Sequence, residues 1–230
     1  GPDDVPAVLI KWLDEESRQV ILEHLNRCWR SERLSKDMNG ARLAIIFKKG
    51  STDLPENYRP IALLNVMYKL LAAIIQKRIS EQLDKNLDPD QYGFRKGRST
   101  AQPLFILRRT QEIQEEAALE CHLLLLDWEK AFDKVDQGRM IKAIRRLGLP
   151  EKILKMINAI YQAPNYVITD KGITTRLRIQ KTGIRQGCPL SPYLFIMLIT
   201  VIMHDVDRGM SEEESRKLQN GRLHKEVSGR

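Results

Sequence analysis

Residues 121–136 read CHLLLLDWEKAFDKVD, and this stretch decides the predicted fold. Four consecutive leucines, residues 123–126, run directly into Asp127. Because a short unbroken apolar run bounded by charge is typical of a strand buried on both faces, we predict a buried strand here. A buried charge is costly unless it is paired or coordinates a metal ion. Asp127 is therefore a candidate metal ligand at the strand end, and its alternative role is to cap the next helix.

Around this strand, hydrophobic spacing predicts helices separated by a few more strands. Apolar residues recur at helical spacing over 6–30, 64–83, 101–118, 137–147, 151–163 and 193–207. Strand signals cover 42–48, an extended segment at 57–60, and a hairpin over 166–179 that turns at Lys171 and Gly172. Helices placed between a few strands, with a hairpin late in the chain, predict an α+β fold rather than a doubly wound sheet.

The charge distribution indicates an anionic partner. The 230-residue chain has a formal net charge of +8. Residues 91–110 and residues 171–187 each contain five basic side chains and no acidic one. Two such stretches can line one groove for a phosphate backbone, and the alternative is a solvated basic face.

The cysteines and the hydropathy pattern indicate a compartment. Cys28, Cys121 and Cys188 show neither metal-ligand spacing nor a disulfide pattern, which fits a reducing environment. The sequence contains no apolar run of membrane-spanning length and opens on no signal-peptide pattern. We therefore expect a soluble intracellular protein without a membrane partner.

Two further segments carry candidate binding chemistry. In AIIFKKGSTDLPENYRPI (44–61), a strand leads to Lys48 and Lys49, and Arg59 follows on a stiff extended segment. Cations held in this way suit a polyphosphate, and the alternative is a basic hairpin tip. QYGFRKGRST (91–100) interleaves aromatic residues with three cations, a pattern suited to a nucleic-acid strand, and the alternative is a surface turn. The three cations are Arg95, Lys96 and Arg98.

A third segment, GIRQGCPLSPYLF (183–195), is unusually constrained by glycine and proline. Gln186 lies between Arg185 and Gly187, where its amide can contact a base or a sugar while Arg185 contributes to the basic strip. The alternative is a plain entry into a helix capped by Ser191.

The opening stretch completes the candidate site. Asp127 can hold Mg²⁺ while water and substrate phosphates complete the octahedron, with Phe132 beside it to sense the sugar. For Asp133 we favour helix capping or pairing with a nearby cation over metal binding. His204 and Asp207, spaced three apart near a helix end, are interpreted as a solvated face.

In this order, the four segments resemble a reverse transcriptase. The similarity is to the non-LTR (LINE-like) retrotransposon type, with group II intron maturases as more distant relatives and telomerase-like enzymes as a weaker alternative. It covers the chain to about residue 208. The matching text is FKKGSTDLPENYRPIALLNVMYKLLAAIIQKRI, QYGFRKGRST, LLLLDWEKAFDKVD and GIRQGCPLSPYLF.

The resemblance implies the fingers and part of the palm of a right-hand polymerase, without a thumb. Residues 1–120 are expected to be mainly fingers, and 121–230 mainly partial palm with a fingers-type hairpin insertion near 165–182. The implied activity is two-metal nucleotidyl transfer that copies RNA into DNA, with Mg²⁺ as cofactor. The implied partners are an RNA template, a DNA primer and a dNTP, and the implied compartment is the nucleus if the element is eukaryotic.

The resemblance also implies a role for individual residues. Asp127 is the first catalytic metal ligand, the backbone at Trp128 shares metal or triphosphate contact, and Phe132 is a gate against the 2′-hydroxyl. The remaining positions contact the triphosphate (Lys48, Lys49, Arg59), the incoming nucleotide and template (Gln186, Gly187) and the template strand (Arg95, Arg98).

One family feature is missing from this sequence. The family's second catalytic motif pairs two aspartates, and residues 193–230 contain no Asp-Asp pair. We therefore expect this polypeptide alone to be catalytically incomplete. We also expect residues 123–126 to form an open palm edge that a partner chain, self-association or helices cover. The alternative function is a non-catalytic retroelement remnant that binds nucleic acid or protein in a larger assembly.

Overall fold

The computed structural model describes residues 1–170 and 172–209, which form a mixed sheet packed with helices. In this part of the chain the helices are α1 (Glu15–Ser31), α2 (Val66–Leu83), α3 (Ala101–Glu116), α4 (Gln137–Arg145), α5 (Glu151–Tyr161) and α6 (Ser191–Gly209). The strands are β1 (Gly40–Phe47), β2 (Tyr58–Leu64), β3 (Asn165–Asp170), β4 (Ile173–Thr174) and β5 (Arg178–Ile179). The α+β class and the helix positions predicted from hydrophobic spacing are confirmed.

The sheet joins strands from both halves of the sequence. β1 and β2 form an antiparallel hairpin in which Phe47 lies opposite Tyr58. β3 pairs with β1 in parallel, and β4 and β5 each pair with β3 antiparallel. The predicted hairpin is present as β3 with these two short strands. Of its predicted turn, Gly172 has a φ of +83°, whereas Lys171 lies outside the described residues.

Side-chain caps explain where three of the helices begin. The Asp14 carboxylate accepts a hydrogen bond from the Ser17 N–H at the start of α1. At the start of α2, Asn65 accepts from the Met67 N–H, while Asp3, from far upstream, accepts from the Val66 N–H at 2.7 Å. Asp136 caps α4 by accepting from a backbone N–H at 2.7 Å. Each cap satisfies donors that a helix start leaves free, so the turn before it is fixed.

The core lies between the sheet and α2, α4, α5 and α6. Its fully buried side chains include Tyr68, Ile75 and Ile79 of α2, Met140 and Ile144 of α4, Ile157 and Ile160 of α5, and Leu194 and Met197 of α6. Since each fully buried aliphatic side chain contributes about 1.5–3 kcal/mol, this apolar layer holds the helices against the strands.

The predicted buried strand at residues 123–126 is wrong. These residues have no regular secondary structure, and the four leucine side chains are between 53 and 81% exposed. A strand needs a hydrogen-bonding neighbour, and none of the described strands pairs with this segment. One side of β2 pairs with β1, and on the other side the Ala62 N–H donates to the Gln186 carbonyl at 2.7 Å. It stays a prediction that a partner chain or self-association covers this segment. The support for it is the exposure of the four leucines, not an open strand edge.

Two further observations concern the cysteines and the length of the helices. Cys28 and Cys188 are buried, Cys121 is exposed, and all three are free thiols. No helix within residues 1–170 and 172–209 combines the length and apolar character needed to cross a bilayer.

Candidate functional site

A cleft of about 760 Å³ brings together residues from four separate parts of the sequence. Its walls come from the β1–β2 hairpin, the loop around Phe94, the 127–133 loop and Gln186. Six of the predicted site residues line it: Lys48, Arg59, Asp127, Trp128, Phe132 and Gln186. Because Gln186 lies 138 positions after Lys48 in sequence, only the fold explains this convergence.

The cationic wall is built by the register of the β1–β2 hairpin. Lys48 directly follows β1, and Arg59 lies on β2 opposite Ile46, so both exposed cations occur near the same end of the hairpin. The Lys48 N–H donates to the Asn57 carbonyl at 2.8 Å, which closes the pair of strands. Below them, the rings of Phe47 and Tyr58 meet edge to face at 5.4 Å between centroids. This packing joins the two strands near the cations, whereas Lys49 is not among the residues that line the cleft.

The acidic wall is the 127–133 loop. Asp127 is exposed, and its carboxylate makes no hydrogen bond or ion pair with any residue that the structure describes. Glu129 is different, because Lys134 lies 2.7 Å from its carboxylate and lowers its pKa. Lys130, with a φ of +52°, turns the chain, and its carbonyl accepts from the Asp133 N–H at 2.9 Å. Asp127 is thus an available carboxylate in a loop whose neighbouring acid is already paired.

Gln186 is held at the cleft through both its backbone and its side chain. Its carbonyl accepts from the Ala62 N–H, and its side-chain amide donates to the Asp133 carboxylate at 2.8 Å. The interpretation of Asp133 as a helix cap or the partner of a cation is therefore wrong. Its carboxylate instead orients the Gln186 side chain. Gly187, the next residue, does not line the cleft. It has a φ of +112°, and its lack of a side chain lets the backbone pass close to Ala62.

The residues predicted to contact the template, Arg95, Lys96 and Arg98, do not line the cleft. Arg95 instead stabilises the loop over residues 84–98. The Arg95 side chain is only 7% exposed. It donates to both carboxylate oxygens of Asp84 and to the carbonyls of Asp84 and Asp88, at 2.8–3.2 Å. Such complete pairing leaves Arg95 few donors for a ligand. Lys96 is exposed, and Arg98 lies over the Tyr92 ring at 5.2 Å, so these two remain accessible to a nucleic-acid strand.

Arg185 is in the core, which contradicts its predicted position on a basic strip. Arg185 is only 2% exposed, and one of its guanidinium nitrogens donates to the Asn39 carbonyl at 2.6 Å. The guanidinium lies 5.2 Å from the centroid of the Tyr68 ring. The Tyr68 hydroxyl in turn lies 3.2 Å from Cys188 Sγ, and burial raises the pKa of Tyr68. We reassign Arg185 to a structural role that ties the 183–190 loop to the start of β1.

Several residues of the cleft were missed from sequence. Tyr58 and Glu56 line the hairpin wall, and Lys130 lines the opposite one. Tyr58 directly precedes Arg59 in the NYRP segment, and this adjacency was the signal that could have found it. Ser191 begins α6 rather than capping it, and its hydroxyl lies 3.3 Å from that of Tyr161.

The described residues do not form a complete metal centre by themselves. Within residues 1–170 and 172–209, no group of three His, Cys, Asp or Glu side chains is arranged to hold a metal ion. A single exposed carboxylate such as Asp127 can still bind Mg²⁺ when a bound phosphate supplies further oxygens.

Comparison with known proteins relates this chain to a polymerase family. Residues 46–218 match the family model described as reverse transcriptase (RNA-dependent DNA polymerase). Over 155 residues, the chain is 30% identical to the retrovirus-related Pol polyprotein from type-1 retrotransposable element R2 of Popillia japonica, covering 67% of this chain and 22% of that protein. Over 175 residues, it is 29% identical to the transposon TX1 uncharacterized 149 kDa protein of Xenopus laevis, covering 76% of this chain and 13% of that protein.

A longer match extends over almost the whole chain. It is 25% identical over 220 residues to the retrovirus-related Pol polyprotein from type-2 retrotransposable element R2DM of Drosophila melanogaster, covering 96% of this chain and 20% of that protein. The chain thus spans 13 to 22% of the length of these relatives.

Proposed function

This chain belongs to the reverse transcriptase (RNA-dependent DNA polymerase) family, and on that premise we propose that its cleft binds a dNTP for RNA-templated DNA synthesis. The relatives place it in the non-LTR retrotransposon branch. The observation that carries the proposal is that Lys48 and Arg59 share one cleft with Asp127. A triphosphate needs cations on one side, and a metal-binding carboxylate completes the environment on the other.

Different side chains of the cleft contact different parts of the nucleotide. Arg59 binds phosphate oxygens through its planar guanidinium, and Lys48 acts as a compact charge beside it. Phe132 limits the space next to the sugar, so that a ribose 2′-hydroxyl is disfavoured. The Gln186 side-chain nitrogen is engaged by Asp133, so its side-chain oxygen is the group that accepts a hydrogen bond from the nucleotide.

Members of this family generally use divalent metal ions, and we propose Mg²⁺ here. The Asp127 carboxylate fits this role, because it is exposed, lines the cleft and is unpaired within the described part of the chain. When bound, the ion neutralises phosphate charge and lowers the cost of bringing a triphosphate next to carboxylates.

We assign residues 1–120 mainly to fingers and 121–230 mainly to palm, of which the structure describes 121–170 and 172–209. The hairpin near 165–182 is proposed to be a fingers-type insertion, supported by the parallel pairing of β3 with β1. An RNA template and a DNA primer are the proposed partners, with Lys96, Arg98 and Tyr92 at the template side. A reducing intracellular location, which is the nucleus if the element is eukaryotic, is also part of the proposal.

The proposed nucleotide site is tested by changing Arg59→Gln. We expect the affinity for a dNTP in the presence of Mg²⁺ to fall at least about tenfold, since hydrogen bonds to a charged group contribute about 1.5–3 kcal/mol. Equilibrium dialysis with labelled dATP measures the change. The matched control is Arg108→Gln, which removes the same charge from an exposed position on α3 outside the cleft.

Two outcomes would count against the proposal. An equal loss of affinity in both variants would mean that net charge, not a contact in the cleft, attracts the nucleotide. A chain that binds RNA but no dNTP would favour the alternative function, a non-catalytic binding module.

We further propose that residues 1–230 as a separate polypeptide do not extend a primer. Two-metal transfer requires carboxylates that hold both ions, and residues 193–230 contain no Asp-Asp pair to join Asp127. A primer-extension assay with purified chain, an RNA template and Mg²⁺ is expected to show no incorporation above background, beside an active reverse transcriptase as positive control. Templated incorporation that disappears in Asp127→Asn would contradict this proposal.

A further inference from the structure

Three phenylalanine rings form a continuous cluster that begins on α6 and ends in the cleft. Phe195 of α6 stacks on Phe132, with ring centroids 4.9 Å apart and planes inclined by 22°. On the other side, Phe94 meets Phe132 edge to face at 6.3 Å and 75°. Among the described residues, these are the two aromatic rings that contact Phe132.

The two supporting rings have different environments. Phe195 is half-buried and packs against the core, so α6 holds it in place. Phe94 is 59% exposed and has a φ of +61°, a left-handed conformation that few non-glycine residues adopt. A large apolar side chain held in this way at the mouth of a cleft limits how far the ring of Phe132 can swing.

The backbone of Phe132 is held as well. Its carbonyl accepts from the Ile184 N–H at 2.8 Å, and the Gly183 N–H donates to the nearby Val135 carbonyl at 2.7 Å. The main chain at residue 132 is therefore tied to the 183–190 loop, which leaves the side-chain torsions as the remaining freedom of Phe132. Phe132 packs against the core, and Phe195 and Phe94 are the aromatic rings that further restrict those torsions.

We propose that Phe195 is a positioning residue that sets the selectivity of the cleft for deoxyribose, with Phe94 as a second, weaker restraint. The inference rests on the proposed function, because it assumes that the sugar of a bound nucleotide lies against Phe132. A stacked neighbour keeps the ring of Phe132 at a fixed height over the sugar. Without that neighbour the ring can tilt away, and the cleft gains room for a 2′-hydroxyl.

The size of the effect follows from the strength of an aromatic pair. Such a pair contributes enough beyond its buried area to change an equilibrium about threefold to tenfold. We therefore expect Phe195→Leu to lower the ratio of the ATP to the dATP dissociation constant by about that factor, mainly through tighter ATP binding. Phe94→Leu should change the ratio in the same direction by less.

The experiment combines two measurements on the full chain. Dissociation constants for ATP and dATP with Mg²⁺ give the ratio, and ¹⁹F NMR of protein labelled with 4-fluorophenylalanine reports on the rings. The chain contains five phenylalanines, so single substitutions assign every resonance. Phe195→Leu is expected to shift and broaden the Phe132 resonance, whereas Phe195→Tyr, which keeps the ring, should restore both the resonance and the ratio.

The control is Phe105→Leu, an equivalent change at an exposed position of α3 outside the cleft, which should alter neither measurement. If Phe195→Leu fails to fold, Phe94→Leu carries the test, since its side chain is largely exposed. An unchanged ratio in a folded variant that still binds both nucleotides would overturn this inference alone. Binding of neither nucleotide by the unmodified chain would overturn the proposed function, and with it the selectivity inferred here.

Discussion

Gly187→Ala is expected to destabilise the protein by about 3 kcal/mol, a loss of roughly 6–12 °C in Tm for a domain of this size. Two causes act together at this residue. Its φ of +112° is strained for any side chain, and a Cβ atom built there lies 2.5 Å from the Ala62 carbonyl oxygen. The oxygen belongs to the backbone of β2, so it cannot move aside as the end of a side chain would.

The control for this prediction is Gly97→Ala. Gly97 also has a positive φ, +75°, but a Cβ atom there meets nothing within 4 Å. The backbone strain alone should cost about 1 kcal/mol. Thermal and urea unfolding followed by circular dichroism compare the two variants, and equal losses of stability would show that the contact with Ala62 has no importance.

A consequence for the cleft follows from the same contact. The 183–190 loop and β2 are joined by the hydrogen bond from Ala62 to the Gln186 carbonyl, one residue before Gly187. Displacing the loop by even a few tenths of an ångström moves Gln186 relative to Arg59. Gly187 therefore affects the position of Gln186 in the cleft through the backbone, although it does not line the cleft itself.

The parts of the fold that follow local rules were predictable from sequence. α2, α4 and α5 were found because their apolar residues recur every three to four positions, and the glycine after α4, Gly148, has the left-handed φ expected of a helix end. The hairpin of β1 with β2 was visible as two short extended segments. In each case the signal lies within about 20 residues of sequence.

The parts that failed depend on distant neighbours. Residues 123–126 have the composition of a buried strand, but a strand also requires a partner, which composition cannot show. Arg185 was placed on a basic strip because its charge suggested exposure, yet the structure surrounds its guanidinium with the Asn39 carbonyl and the Tyr68 ring. Both errors arise because burial is a property of the whole fold rather than of a segment.

The site was predicted as a set of residues but not as a geometry. Motif by motif, the sequence indicated Lys48, Arg59 and Asp127, and the fold brings these three to one cleft. The pairing of Asp133 with Gln186 and the stacking of Phe195 on Phe132 join residues more than 50 positions apart. No local pattern identifies such pairs, which is why Phe195 was assigned only to an apolar helix.

Asp127→Asn is expected to remove the Mg²⁺-dependent part of nucleotide binding and to reverse the order of affinities when the metal is withdrawn. With Mg²⁺, dATP affinity should fall by at least about tenfold, because an amide is a far weaker ligand for a hard cation than a carboxylate is. With EDTA, the variant should bind dATP at least as well as the unmodified chain does, because the charge that repels the triphosphate has been removed.

Asp207→Asn is the matched control, since this carboxylate is exposed on α6 and lies outside the cleft. It should leave dATP affinity unchanged under both conditions, which separates a local effect from the change in net charge. The reversal between Mg²⁺ and EDTA is the decisive observation, because a variant that merely damaged the fold would lose affinity in both. If Asp127→Asn weakens binding equally with and without the metal, Asp127 is not the ligand of the ion, and the cleft holds its nucleotide through Lys48 and Arg59 alone.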